Sequence, residues 1–126
     1  HKRRDHEVAN TVVVHEVVGE VAGRTCVVVD DMIDTGGTIV AAAEALYDNG
    51  AADVICASTH AVLSGPAVER LNDSKISEVI VTDTLPISEA QMFTKLTVLP
   101  IASLIARAIR EVFDDGSVTS LFDGNA

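Results

Sequence analysis

The residues best equipped for chemistry lie between positions 27 and 38, where the sequence reads VVVDDMIDTGGT. An apolar run, Val27 to Val29, leads into two adjacent carboxylates, Asp30 and Asp31, and then to Asp34, Thr35, Gly36, Gly37 and Thr38. Paired glycines let the backbone turn sharply and let a ligand come close to the main chain. The free N–H groups at the start of a following helix, at its positive dipole end, make an anion site suited to a phosphate. Thr35 and Thr38 add hydroxyl donors. Asp30 and Asp31 are placed to hold sugar hydroxyls or a hydrated Mg2+. A plainer reading makes Asp34 the helix cap and the Asp pair a solvated strand end. Each feature alone allows it, but a cap needs one side chain, not a carboxylate pair followed by a double glycine. Neither GxxxxGK[ST] nor GxGxxG occurs, so the other common phosphate loops are excluded.

The elements that must position these residues follow from periodicity. Residues 11–18 are rich in β-branched side chains and read as a strand, and 25–29 is a short apolar run of the kind buried on both faces. Residues 38–49 read as a helix, with Ile39, Ala42, Ala43 and Leu46 on one face and Asn49-Gly50 as its stop. A strand over 53–58 is followed by a helix start, with Ser64 as cap and Pro66 in the first turn, running to about Leu71. Strands at 78–82 and 96–99 flank a connection with one helical turn near 88–92. Pro100 then opens an amphipathic helix carrying Ile101, Leu104, Ile105, Ala108, Ile109 and Val112 on one face. Strands alternating with helices predict an α/β fold, a parallel sheet flanked by helices on both faces, with ligands at the carboxyl ends of the strands.

Composition bounds the rest. The chain has 126 residues, of which 48% are hydrophobic, 22% charged and 3% aromatic, with no Trp. That describes one compact domain with an aliphatic core. Lys and Arg number 9 against 19 Asp and Glu, a net charge of −10, which disfavours nucleic acid and anionic membranes as partners. Lys2, Arg3 and Arg4 are three of those 9 cations. Such a cluster on an acidic chain is either a solvated terminus or a site for a small anion. Cys26 and Cys56 lie in apolar runs that read as buried strands, and two thiols make no disulfide framework, so a cytoplasmic setting is expected. No apolar run approaches the ~18 residues of a membrane span, and no apolar segment follows the basic start as a signal peptide would require. The opening His1 is read as a start within a longer protein.

The segment VVDDMIDTGGT at 28–38 resembles the phosphoribosyl-pyrophosphate (PRPP) signature of type I phosphoribosyltransferases. Three further segments narrow the resemblance to ribose-phosphate pyrophosphokinases, also called PRPP synthetases. KRR at 2–4 is similar to that family's flexible catalytic loop, THAVLSGPAVER at 59–70 to one of its characteristic segments, and GSVTSLF at 116–122 to its C-terminal end. The resemblance implies a type I phosphoribosyltransferase-like domain over 1–126, the C-terminal half of a two-domain enzyme, with 1–10 as the catalytic loop and 117–126 as a tail. It implies transfer of diphosphate from ATP to the C1 hydroxyl of ribose 5-phosphate, giving PRPP and AMP for nucleotide biosynthesis. Asp34, Thr35, Gly36, Gly37 and Thr38 would bind the 5-phosphate, Asp30 and Asp31 the ribose hydroxyls, and Asp30 or Asp31 would hold Mg2+ through water. Lys2 and Arg4 would act on the transferring phosphates. Ser117, Val118, Ser120 and Phe122 match a regulatory region between subunits of a homo-oligomer, often a hexamer; a tail docked on the core through Val118, Leu121 and Phe122 is the other reading. His60 reads as a structural or loop histidine. The alternatives are a phosphoribosyltransferase that consumes PRPP, a non-catalytic PRPP-synthetase-associated homologue, and a receiver-like signalling domain. The last leaves Gly36, Gly37 and the basic loop without a role. The 126-residue chain alone is expected to be inactive.

Overall fold

The computed structural model describes residues 2–4, 12–14 and 19–122, with side chains for 19–119, 121 and 122. The remainder of the basic loop and of the first strand, and residues 123–126, lie outside the described residues. A short antiparallel pair opens the chain: β1 (Lys2–Arg4) runs against β2 (Val12–Val14), with Lys2 opposite Val14 and Arg4 opposite Val12. Strand β2 lies beside the first helix, α1 (Gly37–Asp48).

The main sheet contains β3 (Thr25–Ile33), β4 (Asp53–Ala61), β5 (Glu78–Thr82) and β6 (Leu96–Leu99), all parallel and in that order. The α/β class with a parallel sheet is borne out. Two strands are longer than their local sequence suggests. β3 continues through the carboxylate pair to Ile33, and β4 continues through His60 to Ala61, because the two support each other: Asp30 pairs with Ser58, Met32 with His60 and Ile33 with Ala61. Asp30 and Asp31 are therefore inside a strand rather than at its end, and His60 is a strand residue rather than a loop residue.

Alternation sorts the sheet into two faces. Val54, Cys56, Val79 and Val81 are fully buried and pack with Ile33, Ile39, Ala43 and Leu71. These residues join the sheet to α1 and to α2 (Ala67–Asp73), which also touch each other. Burying each such aliphatic side chain contributes roughly 1.5–3 kcal/mol. Cys56 belongs to this layer, whereas Cys26 is only half-buried; both are free thiols.

The opposite face differs from the expectation of helices on both sides. Val27 and Val29 of β3 are 57% and 75% exposed. The amphipathic helix α3 (Ala102–Phe113) has no buried residue, and it packs instead on a 3-10 turn at Val118–Phe122. Periodicity correctly marks the apolar face of α3, but a face needs a partner surface before it is buried. Among the described residues, no helix is long and apolar enough to cross a membrane.

Candidate functional site

The loop from β3 into α1 is built around Gly36. Its φ of 79° is left-handed, a conformation that disfavours a Cβ, and it sits as N-cap of α1 with no side-chain cap on the first turn. Asp34, the capping candidate of the plainer reading, does not cap. Its carboxylate accepts a hydrogen bond from the Ser64 hydroxyl, and its carbonyl accepts from the Ser64 N–H at 3.0 Å. Ser64 is thus not a helix cap either; Pro66 immediately precedes α2. With α1 uncapped, its first-turn N–H groups and dipole end present an anion-accepting surface at the carboxyl edge of the sheet.

Support for this loop comes from residues 29 or more positions away in sequence. Val62 and Leu63 donate their N–H groups to the Ile33 carbonyl at 3.0 Å each. Arg70 Nη1 donates to the Thr35 carbonyl at 3.0 Å. Leu71 is fully buried beneath the turn, and a Cβ placed on Gly36 would lie 3.4 Å from Leu71 Cγ. Sequence reading assigned no role to Ser64 or Arg70 in the loop; the only signal was their place within the family-like segment at 59–70.

The carboxylate pair divides between two orientations. Asp30 Oδ1 accepts from the Asp31 N–H at 2.8 Å, and the Asp31 side chain is exposed. Beside Asp30, in register on β4, Ser58 is 6% exposed and its hydroxyl has no partner among the described residues. His60 Nδ1 meets Thr84 Oγ1 at 2.8 Å, on a Thr cluster that ties β4 to the end of β5, where Thr82 Oγ1 donates to the Thr59 carbonyl at 2.6 Å. No group of three or more His, Cys, Asp or Glu among the described residues could hold a metal ion. The donor set of Asp30 and Asp31 nonetheless suits Mg2+, which takes one or two carboxylates and fills its remaining positions with water and substrate phosphates.

Two shifted acids are structural. Burial without a charged partner pushes the Cys56 thiol up to about 12. The Tyr47 hydroxyl is also raised, first by burial and then by the Asp53 carboxylate; it donates to the Lys75 carbonyl at 2.7 Å and accepts from the Val54 N–H at 3.1 Å. Lys2 and Arg4 are placed only as backbone, in β1. In the tail, Leu121 is buried while Val118 and Phe122 are 38% and 71% exposed, Ser117 bonds the Thr119 hydroxyl, and the Ser120 side chain is outside the described residues.

Fold and site together define a parallel α/β domain with an anion-accepting Gly-Gly turn at the carboxyl edge of its sheet. The family model of the phosphoribosyl synthetase-associated domain matches residues 7–123, and the chain belongs to that family. It is 67% identical over 123 residues to a ribose-phosphate pyrophosphokinase of Streptomyces coelicolor, covering 98% of this chain and 38% of that protein. Against the ribose-phosphate pyrophosphokinase of Mycobacterium tuberculosis it is 61% identical over 126 residues, covering 100% of this chain and 39% of the relative. A crystal structure of phosphoribosylpyrophosphate synthetase from Mycobacterium smegmatis superposes with a TM-score of 0.74 at 57% identity, over 79% of this chain and 33% of that one. The chain therefore spans less than two fifths of the S. coelicolor relative. This corrects the expectation of a half: the chain matches about 38% of that relative's length.

Proposed function

We propose that the protein transfers the diphosphoryl group of ATP to the C1 hydroxyl of ribose 5-phosphate, giving PRPP and AMP, and that this chain carries the ribose 5-phosphate portion of the site. The observation that supports this best is the left-handed Gly36 at an uncapped helix start, beyond a carboxylate pair, in a chain 67% identical to a ribose-phosphate pyrophosphokinase. The N–H groups of residues 36–38 and the hydroxyls of Thr35 and Thr38 hold the 5-phosphate. Asp34, tied to Ser64, sets the entry to the loop. Asp30 and Asp31 accept from the ribose hydroxyls, and one of the two holds Mg2+ through water. That ion, when bound, offsets phosphate charge. Lys2 and Arg4 neutralise the phosphates in transfer, a reaction that depends on positioning and charge stabilisation rather than on covalent chemistry. In the assembled protein, a cytoplasmic homo-oligomer, Ser117, Val118, Ser120 and Phe122 form a regulatory surface.

Titrating the chain with ribose 5-phosphate and following amide shifts tests the site. Shifts centred on residues 34–38 are expected, and shifts confined to another surface refute the assignment. An AMP-release assay tests the reaction, with the full-length protein as positive control. The 126-residue chain is expected to give no ribose-5-phosphate-dependent AMP, because its described residues hold no metal cluster to fix a nucleotide and its sequence has only four aromatics. Positioning of that kind is worth on the order of 7–11 kcal/mol. A full-length protein that binds ribose 5-phosphate but releases no AMP would instead support a non-catalytic associated homologue.

A further inference from the structure

We infer that Arg70 is a positioning residue for the phosphate turn, acting through the Thr35–Gly36 peptide; this rests on the assignment of residues 34–38 as the phosphate site. The Arg70 guanidinium crosses from α2 to the start of α1, donating from Nη1 to the Thr35 carbonyl at 3.0 Å. It lies so close to the turn that a Cβ added to Gly37 would stand 2.9 Å from Nη1. A trans peptide is planar, with its carbonyl and the next N–H pointing in opposite directions. Fastening the Thr35 carbonyl toward α2 therefore aims the Gly36 N–H away from α2. It also keeps a carbonyl dipole of the wrong sign out of the anion site.

The rest of the same segment is stitched down independently. Ser64 holds both the carbonyl and the carboxylate of Asp34, and Leu63 adopts a left-handed φ of 50° while its N–H bonds the Ile33 carbonyl. The turn before Gly36 is thus fixed by Ser64 and the turn at Gly36 by Arg70. Arg70 is exposed, so its replacement opens no cavity in the core.

The test compares the wild-type chain with Arg70→Met and Arg70→Lys. Three quantities are read: calorimetric affinity for ribose 5-phosphate, the ligand-free amide shift of Gly36, and the unfolding midpoint. Loss of one charge-assisted hydrogen bond predicts about a tenfold loss of affinity in Arg70→Met. A moved Gly36 amide before any ligand is added, a midpoint lowered by only about 2–5 °C and partial recovery in Arg70→Lys are also expected. A tenfold loss with the ligand-free Gly36 amide unmoved would overturn positioning in favour of direct contact with the ligand. Unchanged affinity in Arg70→Met, with normal wild-type binding, would overturn any role for Arg70 while leaving the site assignment intact. Absence of binding by the wild-type chain would overturn the site assignment and this inference with it.

Discussion

The two glycines of the turn are predicted to fail in different ways when each is replaced by Ala. At Gly36 the φ of 79° is the obstacle. A left-handed L-residue costs roughly 1–2 kcal/mol. The new methyl would meet Leu71 Cγ at 3.4 Å, Leu71 Cδ2 at 3.7 Å and the Ala67 Cα at 3.8 Å, which is contact rather than collision. The loss is therefore the backbone's own, about 1 kcal/mol net, or a fall of about 2–5 °C in the unfolding midpoint. At Gly37 the φ is ordinary and the residue opens α1, where Ala in place of Gly gains about 0.5–1 kcal/mol. Its Cβ, however, would lie 2.9 Å from Arg70 Nη1, the far end of a flexible side chain that can swing away. The displaced hydrogen bond to Thr35 is worth about 0.5–1.5 kcal/mol, so the two effects nearly cancel in stability. Thermal unfolding and calorimetric titration with ribose 5-phosphate should therefore separate the variants. Gly36→Ala loses both stability and binding, while Gly37→Ala keeps its midpoint and loses about tenfold in affinity, the equivalent of about 1.4 kcal/mol. A Gly37→Ala chain that binds like the wild type, or one destabilised as much as Gly36→Ala, would refute the reasoning.

Leu71→Ala removes a fully buried side chain from beneath Gly36. It is expected to lose about 2–5 kcal/mol in urea unfolding. The Cys56 thiol ionises near 9 when unfolded and only at about 12 when folded. Stability drawn from this group is therefore complete below pH 9 and is lost as pH rises from 9 toward 12, and Cys56→Ala should flatten that decline in denaturation measured across alkaline pH. Native Cys56 should also resist alkylation at neutral pH, whereas the half-buried Cys26 reacts first by mass spectrometry. Asp31→Asn changes an exposed side chain, so the unfolding midpoint should hold while ribose 5-phosphate affinity falls roughly 10–100-fold.

Where structure is local, the sequence was enough. The strands at Glu78–Thr82 and Leu96–Leu99 coincide with their expected spans, because short β-branched runs between turn residues have few other ways to satisfy backbone and side chains together. The turn at Ser88 was equally legible: Gln91 Oε1 accepts the Ser88 N–H at 3.0 Å, three residues apart. The Gly-Gly step before an apolar helical period likewise announced the turn and the helix that follows it. Asp30 and Asp31, poor strand formers, are held in β3 only because β4 supplies a parallel ladder on one side. That pairing of residues 28 positions apart leaves no local trace. Ser64 and Arg70 come to the turn from across a strand and a helix, so neither spacing nor periodicity could show that they hold Asp34 and Thr35. The fate of α3 has the same origin. Its apolar period is written in residues three and four apart, but burial belongs to whatever surface meets that face, and this is set by chain topology rather than by the helix.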